Sequence, residues 1–233
     1  MFLSIFSYLS LRYENEEDQK YIEGLIEQFR KAQENGSFHL ALFAYHLLFM
    51  IFIYQTIYKA KLWKLEQFSL AFTISPADKK KQYTETSTVY AFVEIPERTI
   101  FTLLSLFQEC ENTISKCKKI IDYRNNNLGH ATPYIVSEGE FENKIEEYDQ
   151  VAFEIHKLTH TELANIFDKY FASIDSEVDQ TKDDIELNLI VPNRLSDKDL
   201  ESFASECLIV PDFKKKQASK ILKDYFGVSV ELA

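Results

Sequence analysis

Glycine and proline are scarce, with five of each in 233 residues. An all-β fold with many tight turns draws heavily on both, because turns need positive φ or a fixed φ, so this shortage argues against it and makes helices the default. Cysteine is almost as rare. Cys110, Cys117 and Cys207 form neither a CxxC pair nor an even-numbered framework, which excludes a disulfide scaffold and points to a reducing, cytoplasmic setting. Cys110 and Cys117 share one apolar helical stripe and read as small packing hydrophobes. Positive charge is in deficit, with 26 Lys and Arg against 37 Asp and Glu and a formal net charge of −11. That balance excludes a non-specific nucleic-acid coat, although it leaves room for a local basic site. The chain contains no Walker loop, no GxGxxG and no GxSxG, so nucleotide hydrolysis, dinucleotide binding and an α/β-hydrolase site are disfavoured.

Aromatic residues are plentiful at 14%. Tyr21, Leu25, Ile26 and Phe29 recur at helical spacing and predict an amphipathic helix over 14–34, ended by Asn35-Gly36. Ser37 stands where it can cap a second helix running to about Lys64, apolar nearly all round as a central helix is. The run 38–58 is long enough to raise the question of a membrane span. His39, His46 and Gln55 inside it, with no second spanning candidate, favour a buried bundle helix and no membrane. Residues 67–95 are ambiguous: 68–74 suits strand or helix, Ser75-Pro76 is a break, and 79–87 is polar and expected to be a loop. Pro96 and Glu97 then open a long helix whose stripe of Ile100, Leu103, Leu104, Phe107, Cys110, Ile114, Cys117 and Ile121 should carry it to Leu128-Gly129.

A further helical pattern spans 141–174, with a break expected near Thr159–Thr161. Residues 175–184 are acidic and read as a linker. Beyond them Ile185, Leu187, Leu189 and Val191 alternate with other residues as a short strand would. Ser196 with Asp199 suggests a helix start, 212–226 a final helix and 228–232 a closing strand. The expectation is a mainly α protein in three parts: an N-terminal helical segment at 1–36, a helical bundle at 37–176 and a small α/β appendage at 177–233.

The segment with most chemistry is Asp122-Tyr123-Arg124-Asn125-Asn126-Asn127-Leu128-Gly129-His130. Cutting RNA without metal requires removal of a 2′-hydroxyl proton, stabilisation of a phosphorane and protonation of the departing 5′-oxygen. A histidine near its ordinary pKa of about 6.5 can move protons at neutral pH, and an arginine presents a permanently charged fork to phosphate oxygens. Six positions on an ideal helix leave two side chains about 120° from alignment. A left-handed Gly129 would let His130 fold back toward Arg124. One arginine and one histidine make a thin site, and a two-fold dimer would double them.

Arg124-Asn125-x4-His130, following a long helix and preceded by an apolar helix, resembles the motif of HEPN (higher eukaryotes and prokaryotes nucleotide-binding) domains, over about residues 37–175. The resemblance implies a HEPN-like helical bundle and a metal-independent endoribonuclease with a composite site at a homodimer interface. In that reading Arg124 and His130 are catalytic and Asn125 supports them. The family implies RNA as substrate, a role as toxin or antiviral-defence effector, and an antitoxin or defence-complex protein as partner. It also includes catalytically silent members that bind RNA or protein, which is the alternative reading. Residues 176–233 have no counterpart in the resemblance, and the acidic stretch 138–154 is the wrong sign for an RNA site.

Tyr134 stands close enough to the motif to assist it, although an aromatic after a turn more often packs. His39 and His46 lie seven apart on one helical face, and His156 and His160 four apart on another. Neither pair comes with a partnering Cys or an HExxH pattern, so no metal and no cofactor is expected.

Overall fold

The computed structural model describes residues 4–13, 15–73, 75–129, 134–174, 181–202 and 220. Among them the chain is helical and contains no named strand; the one β-bridge is Ser10 to Ser196. Two compact units divide it, one of residues 1–6 and 15–158, the other of 7–14 and 159–233. This division joins the first amphipathic helix to the central one instead of setting 1–36 apart.

The first unit is built on helix α1 (Glu16–Glu34) and helix α2 (Phe38–Trp63). Asn15 starts α1 by accepting the Glu17 N–H at 2.8 Å, satisfying one of the amides a helix start leaves unpaired. At its end Gly36 takes φ +67°, while its N–H reaches Gln33 O and the Ser37 N–H reaches Ala32 O. This paired closure needs a left-handed residue, which glycine supplies without steric cost. Ser37 occupies the N-cap of α2 without a side-chain cap bond. The buried face of α1 is Ile22, Leu25 and Phe29; Tyr21 remains half exposed.

Every residue of α2 from Leu48 to Ala60 is buried. Leu42, Leu48, Phe49, Ile53 and Ile57 have no accessible surface, and each contributes roughly 1.5–3 kcal/mol relative to exposure. By length and composition α2 could cross a membrane, but 83% of its most apolar window is buried inside the protein. Its cover consists of α1, the 3₁₀ segments Val89–Glu94 and Phe101–Leu106, and helix α7, introduced below.

Three elements depart from the sequence reading. Residues 65–71 settle as helix α3 (Leu65–Ala71), and the expected loop at 79–87 contains helix α4 (Ala77–Glu85). Pro76 sits at the α4 N-cap, Asp78 lies in the first turn, and buried Tyr83 packs on Phe72 and Phe92. One aromatic anchor therefore overrides a polar composition. The long helix expected from Pro96 is also broken. Helix α5 (Glu97–Ile100) runs into the 3₁₀ segment, and helix α6 (Glu111–Tyr123) starts afresh after Cys110. Thr102 Oγ1 donates to Thr99 O at 2.7 Å and Ser105 Oγ to Thr102 O at 2.6 Å, local bonds that compete with the regular helical ladder. Helix α7 (Glu138–Leu158) and helix α8 (His160–Ser173) meet at the expected break, Thr159.

In the second unit the strand expected at 185–191 is helical instead. Lys182–Ile185 is α, Glu186–Ile190 is a π turn and Val191–Asn193 is α again. Thr181 and Asp184 form a reciprocal capping box that nucleates this helix, and Ile185, Leu189 and Ile190 fall on its buried side. The alternation was therefore helical packing in disguise. Ser196 and Asp199 form the predicted helix start, with Asp in the role usually held by Glu or Gln. The expected helix at 212–226 lies outside the described residues apart from helical Lys220, and the expected strand at 228–232 lies wholly outside them.

Candidate functional site

Arg124 is the first residue of a π-helical turn, Arg124–Leu128, that continues α6. The turn closes with the Gly129 N–H donating to Arg124 O at 2.8 Å. Gly129 has φ −88° and ψ −8°, so the left-handed turn expected there does not form, and the wider π turn ends the helix instead. Such turns are rare and recur at functional sites. Asn125 sits half-buried in the same turn, while His130 lies outside the described residues.

The Arg124 guanidinium is half-buried. Its Nη2 donates to Glu97 Oε2 in an ion pair, and its Nε is buried without a hydrogen-bond partner among the described residues. The first turn of α5 supplies Glu97, and Pro96 before it fixes where that turn begins. The other carboxylate oxygen, Oε1, lies 3.8 Å from His46 Nε2. That separation is too long for a hydrogen bond, and Nε2 has no other partner among the described residues. On its far side His46 meets Tyr148 of α7, Nδ1 to Oη at 2.9 Å.

The electrostatics fix the proton positions. Burial, reinforced by the Glu97 charge, holds the Tyr148 phenol well above its ordinary pKa, so it stays protonated. A protonated Tyr148 donating to Nδ1 puts the imidazole proton on Nε2, facing Glu97. Burial lowers the His46 pKa and the Arg124 charge lowers it further, against the pull of Glu97, so the ring stays neutral. For Glu97 burial acts upward, but contact with His46 and the Arg124 charge outweigh it and hold the carboxyl below its ordinary value. Nearby Tyr54 is pushed up to about 12, first by burial and then by the Glu97 charge. The result is a neutral histidine, an ionised carboxylate and a guanidinium in sequence, fixed by three separate elements.

Glu97 also forms part of the wall of a cleft of about 770 Å³, within the usual range for small-ligand sites. Tyr21, Tyr54 and Tyr90 line it together with Met50 and Ile51, and Tyr21 and Tyr90 meet edge to face with ring centroids 6.0 Å apart. Glu17, Asp18 and Glu94 add negative charge, and no Lys or Arg is among its described lining residues. Polyanion would be repelled from this side of Glu97.

Other residues around the motif are engaged elsewhere. Asp122 pairs with Arg98, so Glu97 and not Asp122 neutralises Arg124. Tyr134 donates to Glu140 Oε1, which also accepts from Tyr123 Oη at 2.9 Å, tying the chain after the motif to the first turn of α7. Lys116 pairs with Glu154, and exposed Lys119 faces solvent. Sequence reasoning treated Glu97 as a helix-start acid and His46 as half of a histidine pair, and so missed the cluster they form with Arg124. The available signal was an ionisable side chain set inside an otherwise apolar helix. No protein-family model, curated protein or solved structure matches this chain.

Proposed function

We propose that this protein is a metal-independent endoribonuclease of HEPN type, acting as a toxin or antiviral-defence effector. Its catalytic groups are Arg124, Asn125 and His130, brought together as a composite site in a homodimer. The observation that carries the reading is the anchoring of Arg124: its guanidinium is held by Glu97 at the mouth of a π turn, inside the motif that resembles the family's. Maintaining a half-buried charge there has a desolvation cost, as a site prepared for an anion would. In the reaction the 2′-oxygen attacks phosphorus as its proton leaves to a base. The 5′-oxygen departs with a proton, and the products are a 2′,3′-cyclic phosphate and a 5′-hydroxyl. His130 is the proton-transfer group in this scheme, Arg124 stabilises the phosphorane, and Asn125 orients the phosphate or the arginine.

One observation favours the second reading, a catalytically silent HEPN-like module that binds RNA or protein. Arg124 is already neutralised by Glu97, and the adjoining cleft is acidic. Cleavage of total RNA in EDTA by wild type, Arg124→Ala and His130→Ala separates the two. The nuclease predicts activity in wild type that falls about a hundredfold or more in each variant, as loss of a transition-state contact does. No cleavage by wild type leaves the silent module, and equal cleavage by all three removes the motif from the mechanism.

A further inference from the structure

A second cavity, of about 430 Å³, opens on the other side of the seam between α2 and α7. Asp149 forms part of its wall and is only 7% exposed. The Tyr45 hydroxyl donates to Asp149 Oδ1 and itself accepts the Ile5 N–H at 3.1 Å. Both capacities of that hydroxyl are then in use. Asp149 Oδ2 is buried and has no hydrogen-bond partner among the described residues. A buried carboxylate oxygen left unmatched is costly unless something completes it.

The rest of the wall narrows what that something is. Phe29, Phe141 and Tyr45 present aromatic surface, with Phe29 and Phe141 stacked at 6.2 Å between centroids. Glu142 and Glu146 stand exposed at the edge, and no Lys or Arg lines the cavity among the described residues. An anion would meet repulsion from all three carboxylates. A hard metal ion needs six or more oxygen ligands in the case of calcium, or a rigid octahedron for magnesium, and aromatic walls supply neither. An organic ammonium satisfies each feature: N–H donors for the carboxylate, a positive charge for the aromatic faces and an apolar body for the remaining wall.

We infer that this cavity is a binding site for a small organic ammonium ion with an aromatic or alkyl body, held by Asp149 between Phe29, Tyr45 and Phe141. This inference stands apart from the ribonuclease reading and shares no residue with the motif. Burial pushes the Asp149 carboxyl up to about 6, so it is mostly ionised at neutral pH and ready for a cation. Tyr45, held protonated by burial and by the Asp149 charge, does not titrate in that range, and Glu142 and Glu146 at the rim are the other ionisable groups that face the site.

The test is calorimetric titration of the full chain at pH 7.5 with phenethylammonium chloride and with its neutral counterpart 2-phenylethanol. The ammonium should bind at least about tenfold more tightly, one decade of affinity. Asp149→Asn should reduce it to the level of the alcohol, while Glu142→Gln with Glu146→Gln should weaken it only a few-fold. In wild type, lowering the pH from 7.5 to 5 should weaken the ammonium and leave the alcohol unchanged, a readout that needs no variant to fold. Equal affinity for the two compounds, unchanged binding by Asp149→Asn, or no saturable binding of either would overturn the proposal.

Discussion

Two pairs of neighbouring residues link the same two helices and behave in opposite ways. Tyr45 of α2 meets Asp149 of α7, and His46 meets Tyr148. Successive residues on a helix diverge by about 100°, so the two links point to different surroundings. The His46 link leads to Glu97 and Arg124, where each charge has a countercharge. The Tyr45 link ends at a carboxylate that receives hydrogen bonding but no positive charge. Both carboxylates feel burial pushing their pKa upward. Glu97 nevertheless stays below its ordinary value because Arg124 and His46 answer it, and Asp149 rises because nothing does. The lesson is that compensation, more than depth, sets the charge state of a buried acid.

The largest expected effect breaks the compensated side. Glu97→Ala strands Arg124 and leaves His46 Nε2 facing an emptied position. Urea denaturation at pH 7 should record a loss of about 2–4 kcal/mol, toward the lower end of what breaking a buried ion pair costs, because both partners are only half-buried. No measurable loss would mean that the pair contributes nothing and that Arg124 is not anchored as described.

The next prediction reverses sign on the other side of the seam. Asp149 has a folded pKa of about 6 against an ordinary 3.8. Between those values the native state keeps a proton that the unfolded chain has released. Stability from this site is thus fully present below 3.8 and lost as pH rises through about 6. Asp149→Asn, which keeps the acceptor for Tyr45, should stabilise the protein at pH 7 by about 1–3 kcal/mol, with the gain vanishing near pH 4. His46 acts in the contrary direction. Its folded pKa is depressed, so its contribution is present above the unfolded value of about 6.5 and lost as pH falls through the folded one. Thermal melts from pH 4 to 8 on both proteins separate the two. A stabilisation independent of pH would show that Asp149 does not titrate as argued.

The smallest effect sharpens the contrast. Tyr148→Phe removes only the hydroxyl that serves His46 Nδ1, and should cost about 1 kcal/mol in the same denaturation assay. Repeating it in a Glu97→Ala background tests coupling. A cost that stays the same with and without Glu97 would show that the two contacts of His46 are independent and that the cluster is not a unit.

Much of the first unit could be read from side-chain periodicity. The ends of α1, the extent of α2 and the break at Thr159 each followed from a local signal: Asn35-Gly36, an unbroken apolar run, a change of stripe. Where the reading failed, a non-local contact had decided the matter. Tyr83 holds α4 in place through Phe72 and Phe92, and the capping box at Thr181 starts a helix in a stretch whose alternation suggested a strand. Of the candidate site, Arg124 and Asn125 were legible because the motif is contiguous. Glu97 and His46 were not, since they stand 27 residues before Arg124 and on a different helix respectively, and only the fold makes them neighbours.

The π turn at Arg124–Leu128 carries a consequence for how the motif is counted. A π turn accommodates one residue more than the α turn it replaces, so the distance from Arg124 onward measured in residues exceeds the distance measured in turns. Deleting a single residue from Asn125-Asn126-Asn127 would let the helix heal to regular α geometry. Every side chain beyond the deletion would then swing by about 100° around the axis. A pattern defined by spacing alone would register that change as one missing letter. For the molecule it would re-aim everything that follows the arginine, so the surplus asparagine functions as a dial that sets direction.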